Sequence, residues 1–377
     1  MLLKIKNDIE IKFRGRYGND EVNDLLKVIN GFVQYIVEVR KYWIENNIGG
    51  DEVKKLIEDL RNGRADVAIR RTGKTLTISV YGKYVILEVS RLGGTRVRLI
   101  LRKIRGITID VPDIFRKVIG KDEYENFAKI LQGLRKGFAE TDEGIDGVRP
   151  RMGTAQTWQA ILWSLLYPGR IRVLINAVDV NVEGVAMVWQ LRANNHKSLK
   201  NGTYEVLNNK ETLMAFMLTA VLGDGYAYIT DKPRIKLVIG TTKLRRWESI
   251  LNRLNYIGFR WSPQPGRDAT QITFTAGYAI DLAQAMINII PPMLRDILDI
   301  LSIEKWQRIK QVANMEVRFR LGESRVLVGG EPFTVAVSGG SIRLLRKVRD
   351  WAGGVYRVLD ELRRSYGEEF VSQVRGL

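Results

Sequence analysis

An α+β fold built from more than one structural unit is what this sequence predicts, and three patterns predict it. Long stretches carry Leu, Ile and Val at helical spacing, others alternate apolar and polar residues with period two, and the two kinds are interleaved along 377 residues. A faint repeat also spans the middle of the chain. Asp142 and Asp224, about 82 residues apart, each end a helical stretch and are each followed by Pro-Arg, Gly-Thr and a Trp-bearing helix. Hydrophobic residues make up 45% of the chain, enough for a substantial core.

Residues 1–120 read as an N-terminal α+β domain of unknown role. Helical spacing over 20–46 and 51–62 gives way to alternating runs, the clearest being Thr95–Lys103. There Arg96, Arg98 and Arg102 share one face and Val97, Leu99 and Leu101 the other, which predicts a half-buried sheet with a basic outer surface. Ala68 to Thr75 loosely fits a P-loop, but strand rather than helix follows Lys74, so a hairpin turn is expected.

Residues 121–210 read as helix (122–140), polar loop, helix and two strands. Residues 211–340 repeat that order: an apolar helix, strands, an amphipathic helix from Lys243, a Pro-rich loop, the strand 271–276 and helices around Pro291-Pro292. The strand 316–321 follows, and 341–377 read as a basic C-terminal helix.

Charge narrows the function. Sixty Lys and Arg against 42 Asp and Glu leave a net charge of +18, the footprint of a nucleic-acid partner; a basic surface kept for solubility is the alternative. The chain has no Cys and one His, His196, which excludes disulfides, zinc ribbons, thiol nucleophiles and His-based triads. Hydrolytic chemistry must then rest on carboxylates, lysines and an oxygen-ligated metal, for which Mg²⁺ is suited. No run reaches the roughly 18 apolar residues of a membrane helix, and the N-terminus lacks a signal-peptide core, so a cytoplasmic protein without a membrane partner is expected.

The strongest local signal is the stretch 212–225. The helix Thr212–Leu222 is apolar nearly all round, so burial on every side is expected. It ends on Asp224, where an anion opposes the helix dipole, and a nearby cation would offset that cost. Thr219 and Gly223, four residues apart, would let a second helix approach closely. A turn that happens to read Gly-Asp-Gly is the plainer reading.

The run Met217 to Gly225, ending Leu222-Gly223-Asp224-Gly225, resembles the LAGLIDADG motif of homing endonucleases. The resemblance implies a pseudo-two-fold core of two αββαββα-type units whose motif helices abut, each delivering one metal-binding acid. It implies Mg²⁺-dependent, site-specific cleavage of double-stranded DNA, with Asp224 as a catalytic, metal-binding acid. The partner motif would be Arg135 to Gly144, a degenerate first repeat in which Gly137 and Thr141 are the small pair and Asp142 the second acid. It departs from the pattern: Arg135 and Lys136 stand where apolar residues are usual, and Glu143 precedes the glycine. With both motifs the chain is complete as a monomer; if Asp142 sits only in a solvated loop, a homodimer is needed.

Lys236, on the strand after Asp224, is a further candidate catalytic residue, basic side chains near such a site being common helpers. Candidate DNA contacts are Arg170 and Arg172, Arg234, Lys243, Arg245, Arg246, and Arg318 and Arg320, most of them on strands with alternating basic residues. The chain also resembles an expanded set of repeat-associated proteins of hyperthermophilic archaea, distant relatives of these endonucleases. That leaves open a regulator that binds DNA without cutting. A maturase acting on structured RNA is a further alternative.

Overall fold

In the computed structural model the described residues are 1–91, 95–181, 184–200, 202–315, 324–328, 331–338, 341–345, 360 and 363–364. They fall in two units, Met1–Met315 and Glu316–Leu377.

The first unit opens with α1 (Leu2–Phe13), the long α2 (Asn19–Glu45) and α3 (Val53–Arg61). An antiparallel meander follows: β1 (Asp66–Thr72), β2 (Thr75–Tyr81), β3 (Val85–Arg91) and β4 (Thr95–Leu101). The hairpin expected in place of a P-loop is there. Thr72 pairs with Thr75 across a two-residue turn, with Gly73 in the left-handed region at φ +57. Then come β5 (Ile107–Val111), α4 (Ile114–Ile119), α5 (Lys121–Glu140), β6 (Glu143–Asp146), β7 (Arg149–Thr154), α6 (Thr157–Leu166), β8 (Gly169–Asn181) and β9 (Gly184–Ala193). The remainder is α7 (Lys210–Asp224), β10 (Gly225–Ile229), β11 (Pro233–Gly240), α8 (Thr241–Tyr256), β12 (Ser262–Pro265), β13 (Ala269–Thr275), α9 (Gly277–Asn288), α10 (Pro292–Ile300) and α11 (Glu304–Ala313).

Two stretches share one plan. From α5 to β9, and again from α7 to β13, the order is helix, two strands, helix, two strands. Their sheets pair in the same sequence: β6-β7-β9-β8 in the first half, β10-β11-β13-β12 in the second. In both, the fourth strand lies between the second and third. The Pro-rich loop of the sequence turns out to hold β12, which Pro263 and Pro265 confine to the sheet edge, where a missing N–H costs no ladder bond.

The expected boundary at residue 120 does not interrupt the fold. The first half's sheet runs on through β8 into β4 and the whole N-terminal meander, giving nine strands. β8 manages this by changing partners. Its first part pairs with β5, and the part after an irregularity between Ile175 and Ala177 pairs with β4. A bulge bends a strand and locally increases its twist, which suits that change of neighbour. The basic face expected on β4 is partly neutralised there: Arg98 Nε donates to Asp179 Oδ1 at 2.6 Å, and Arg96 also pairs with this buried carboxylate. α2 lies over β5, β8 and β9, with Phe32 edge-on to Trp189 at 5.3 Å and the Tyr35 hydroxyl accepting from the Ile175 amide. One hydrophobic core therefore runs from Leu2 to Ala313.

In the second unit β14 (Ser324–Val328), β15 (Glu331–Ser338) and β16 (Ser341–Leu345) form an antiparallel sheet. Residues 341–345, expected to open a basic helix, are a strand instead. Val337 opposes Ile342 and Val335 opposes Leu344, so period-two pairing outweighs helix propensity there. The expected strand 316–321, with Arg318 and Arg320, lies outside the described residues. Among the described residues no helix is long and apolar enough to cross a membrane.

Candidate active site at the ends of two abutting helices

α7 is buried from Thr212 to Leu222, as an all-round apolar helix must be. Its neighbour on one side is α5, and small residues set their separation. A side chain at Gly133 would strike the Thr212 carbonyl, and one at Gly137 would strike Thr219 Oγ1 and the Phe216 carbonyl. At Gly223 it would meet Asp142 Oδ2 and Thr141 Oγ1, each at 2.5 Å. The Thr219 hydroxyl exploits this closeness and donates to the Leu134 carbonyl at 2.7 Å, one helix bonding to the backbone of the other. Gly137 and Thr219 meet at the interface as the motif spacing suggested.

The cationic residues that break the apolar pattern of α5 have partners, Lys136 buried and Arg135 half-buried. Lys136, 1% exposed, pairs with Glu140 at 2.7 Å and donates to the Leu199 and Gly202 carbonyls. Arg135 donates to the Leu166 carbonyl at 2.6 Å and lies over the Tyr167 ring. Glu143 belongs to a structural network: its carboxylate accepts from Trp163 Nε1, the Tyr167 hydroxyl and Ser198. Burial pushes the Glu143 carboxyl up, against those hydrogen bonds. His196 likewise meets a structural need, with Nε2 2.7 Å from the Pro168 carbonyl and its ring edge-on to Tyr167.

The abutting helices bring Asp142 and Asp224 to the same end of the pair. Burial raises the Asp142 carboxyl above the usual carboxylate range, and the negative charge of Asp224 raises it further; the Gln159 hydrogen bond and the charges of Lys305 and Lys243 oppose the shift. Gln159 is well placed for this. The Thr154 hydroxyl donates to its Oε1 at 2.6 Å, which turns Nε2 toward Asp142 Oδ2, also at 2.6 Å.

Two ammonium groups close the site. Lys243 Nζ donates to the Glu140 carbonyl at 3.0 Å and the Thr141 carbonyl at 3.4 Å, at the end of α5. Lys305 Nζ, from the first turn of α11, donates to the Leu222 carbonyl at 3.0 Å and to the Gly223 carbonyl, at the end of α7. These are the carbonyls a helix leaves without intrahelical partners. Burial lowers the Lys305 ammonium, while Asp142 and Asp224 hold it up. A cavity of about 10 Å³, at the lower limit for holding one water, lies beside Asp224, Thr141 and Lys243.

The donors gathered here are two carboxylates and backbone carbonyls, all hard oxygens of the kind Mg²⁺ takes. Among the described residues no group of three or more His, Cys, Asp or Glu assembles. A metal here would therefore draw on the two aspartates, helix-end carbonyls and water.

The other expected residues among those described lie on the outer sheet faces or on α8. Lys236 is not among the charges acting on Asp142; it stands on the outer face of β11, over the Tyr228 ring at 5.5 Å and bonded to Gln271 at 3.3 Å. Arg234 lies on the same face, paired with Asp231 at 3.1 Å. Arg170 and Arg172 are exposed on β8. Arg245 is exposed on α8, whereas Arg246 pairs with buried Glu140 at 3.1 Å. Sequence reasoning missed Gln159 and Lys305, which no local pattern distinguishes from surface residues. It also missed Arg151 and Arg192, which the alternation of β7 and β9 could have flagged. Arg192 directly opposes Arg151 on one side and Arg172 on the other, so three guanidiniums cross the sheet in a row beside a hollow of about 220 Å³.

No known protein family and no curated protein matches the chain. Among solved structures it is similar to the homing endonuclease I-WcaI bound to its DNA recognition sequence, at 15% identity and a TM-score of 0.32, over 48% of this chain and 93% of that one. At so low a score the functional reading rests on the geometry alone.

Proposed function

We propose that this protein is a DNA-binding endonuclease of LAGLIDADG type that hydrolyses double-stranded DNA with Mg²⁺, its two halves related by a pseudo-two-fold axis along the α5–α7 interface. The observation that carries the reading is the close approach of those helices through Gly137, Thr219 and Gly223, which sets Asp142 beside Gly223 at the foot of α7. The shared strand order of the two halves supports it.

Asp142 and Asp224 would hold the metal, which when bound activates water and stabilises the leaving oxygen. Gln159, itself fixed by Thr154, holds Asp142 Oδ2, the oxygen that lies against Gly223 of α7, and so fixes the orientation of this carboxylate. The outer sheet faces carry the polar contacts to DNA: Arg151, Arg172 and Arg192 on the first half, Arg234 and Lys236 on the second. Guanidiniums in direct cross-strand register repel one another; Asp146, paired with Arg192 at 3.0 Å, offsets part of this, and phosphates or guanine edges would relieve the rest. In this reading one chain supplies both acids.

The test is cleavage of a randomised duplex library in Mg²⁺ or EDTA, by the wild type, Asp142→Asn and Asp224→Asn. Mg²⁺-dependent cuts at one sequence, lost in both variants, are expected. A second reading, DNA binding without cutting, is favoured by one observation: Lys243 and Lys305 already occupy the helix-end carbonyls. Selective, salt-sensitive retention of duplexes without cuts would establish it and overturn the nuclease.

A further inference from the structure

Two carboxylates at the ends of two helices should repel each other and the helix dipoles together. The structure answers both repulsions from within the chain. Each helix end receives one ammonium from a different element, Lys243 of α8 at α5 and Lys305 of α11 at α7. Lys305 interacts with both aspartates, and Lys243 with Asp142. The two ammonium groups thus offset the charges of the two aspartates at this end of the helix pair without any metal.

We propose that Lys305 is the resident cation of the Asp142–Asp224 site: a positioning residue that holds the acid pair together in the metal-free protein and that a divalent metal must displace. Its reach to the Leu222 and Gly223 carbonyls places it on oxygens that a hard cation beside Asp224 would otherwise take. Lys243 stays on the α5 side, so the two ammonium groups are not interchangeable. The inference rests on the acid pair as a cation site, and it holds whether or not DNA is cut.

The experiment is thermal melting of the full chain after EDTA treatment, then along a MgCl₂ titration, for the wild type, Lys305→Met and Lys305→Arg. The wild type should melt at the same temperature in EDTA and in Mg²⁺. Lys305→Met should melt lower in EDTA and recover with Mg²⁺, with half-recovery at a Mg²⁺ concentration about tenfold or more below any at which the wild type shifts, since one competing positive charge is gone. Lys305→Arg should follow the wild type. Equal melting of Lys305→Met and wild type in EDTA would overturn the proposal, as would equal stabilisation of both by Mg²⁺. Should Lys305→Met fail to fold even in Mg²⁺, Lys305→Met/Asp142→Asn decides: removing an acid with its cation restores folding if the lysine neutralises, and continued failure refutes it. A protein that shows this metal response but never cuts DNA would sink the nuclease reading and leave the role of Lys305 intact.

Discussion

The half from α5 to β9 and the half from α7 to β13 share an order of elements and an order of strands, yet they reach one site by different means. α7 is buried and uncharged from Thr212 to Leu222, its charges before Asp224 being Lys210 and Glu211, both exposed in the first turn. α5 carries Arg135, Lys136 and Glu140 into the interior and pairs each of them. The third residue of the second helix differs too. In α6 it is Gln159, which steadies its own half's acid; in α8 it is Lys243, which reaches across to the other half's helix end. The shared plan is thus a matter of backbone packing, while the polar chemistry has diverged between the halves.

Cleavage separates the halves most sharply. Asp142→Asn and Asp224→Asn should each lower the cutting rate by roughly two to four orders of magnitude if the acids act as one unit. Nicking of one strand by either variant would show that each half serves its own strand.

Packing comes next. Gly137→Val puts carbons against the Phe216 backbone, which cannot move aside, and should cost about 3 kcal/mol or prevent folding. Gly223→Ala meets side chains of Asp142 and Thr141 instead and should cost less, about 1 kcal/mol, while disturbing the acids more. Urea denaturation and the cleavage assay together separate these effects; equal stability losses would mean that the two glycines are equivalent.

The N-terminal strands attach to the first half alone. Asp179→Asn should therefore lower stability by about 1–2 kcal/mol near neutral pH. Burial pushes the Asp179 carboxyl up, but hydrogen bonds from Arg98 and Arg96 win and hold it below its ordinary value. A depressed carboxylate stabilises above its unfolded pKa of about 3.9 and loses that contribution as pH falls below it. The gap between wild type and variant should narrow from pH 5 toward pH 2 in urea melts.

The smallest effect is on salt dependence. Replacing Arg151, Arg172 and Arg192 with Ala should reduce the slope of log affinity against log salt by about 2 to 3 if all three meet phosphate, and Arg234 with Lys236 by about 1 to 2. Equal losses of affinity without a slope change would assign these residues to bases instead.

Much of this plan was legible in the sequence. An apolar helix shows its burial in every residue, and alternation in a strand shows its two faces, because both are local periodicities. So α7, β8, β9 and β11 could be read directly, and with them Asp224 and the outward Arg172 and Arg234. The small residues Gly137, Thr219 and Gly223 announced a close helix contact, and the resemblance named the helices ending near Asp142 and Asp224 as the pair. Tertiary structure alone decided the rest. The continuity of one sheet from β1 to β6 depends on β8 changing partners, a pairing between residues far apart in the chain. Ser341–Leu345 became a strand because a neighbouring strand was present to pair with it. Gln159 and Lys305 reached the acids from elements whose own sequence patterns report only which face is apolar. Charge at a distance of 83 residues, from Lys305 to Leu222, leaves no mark on local periodicity and exists only once the helices have packed.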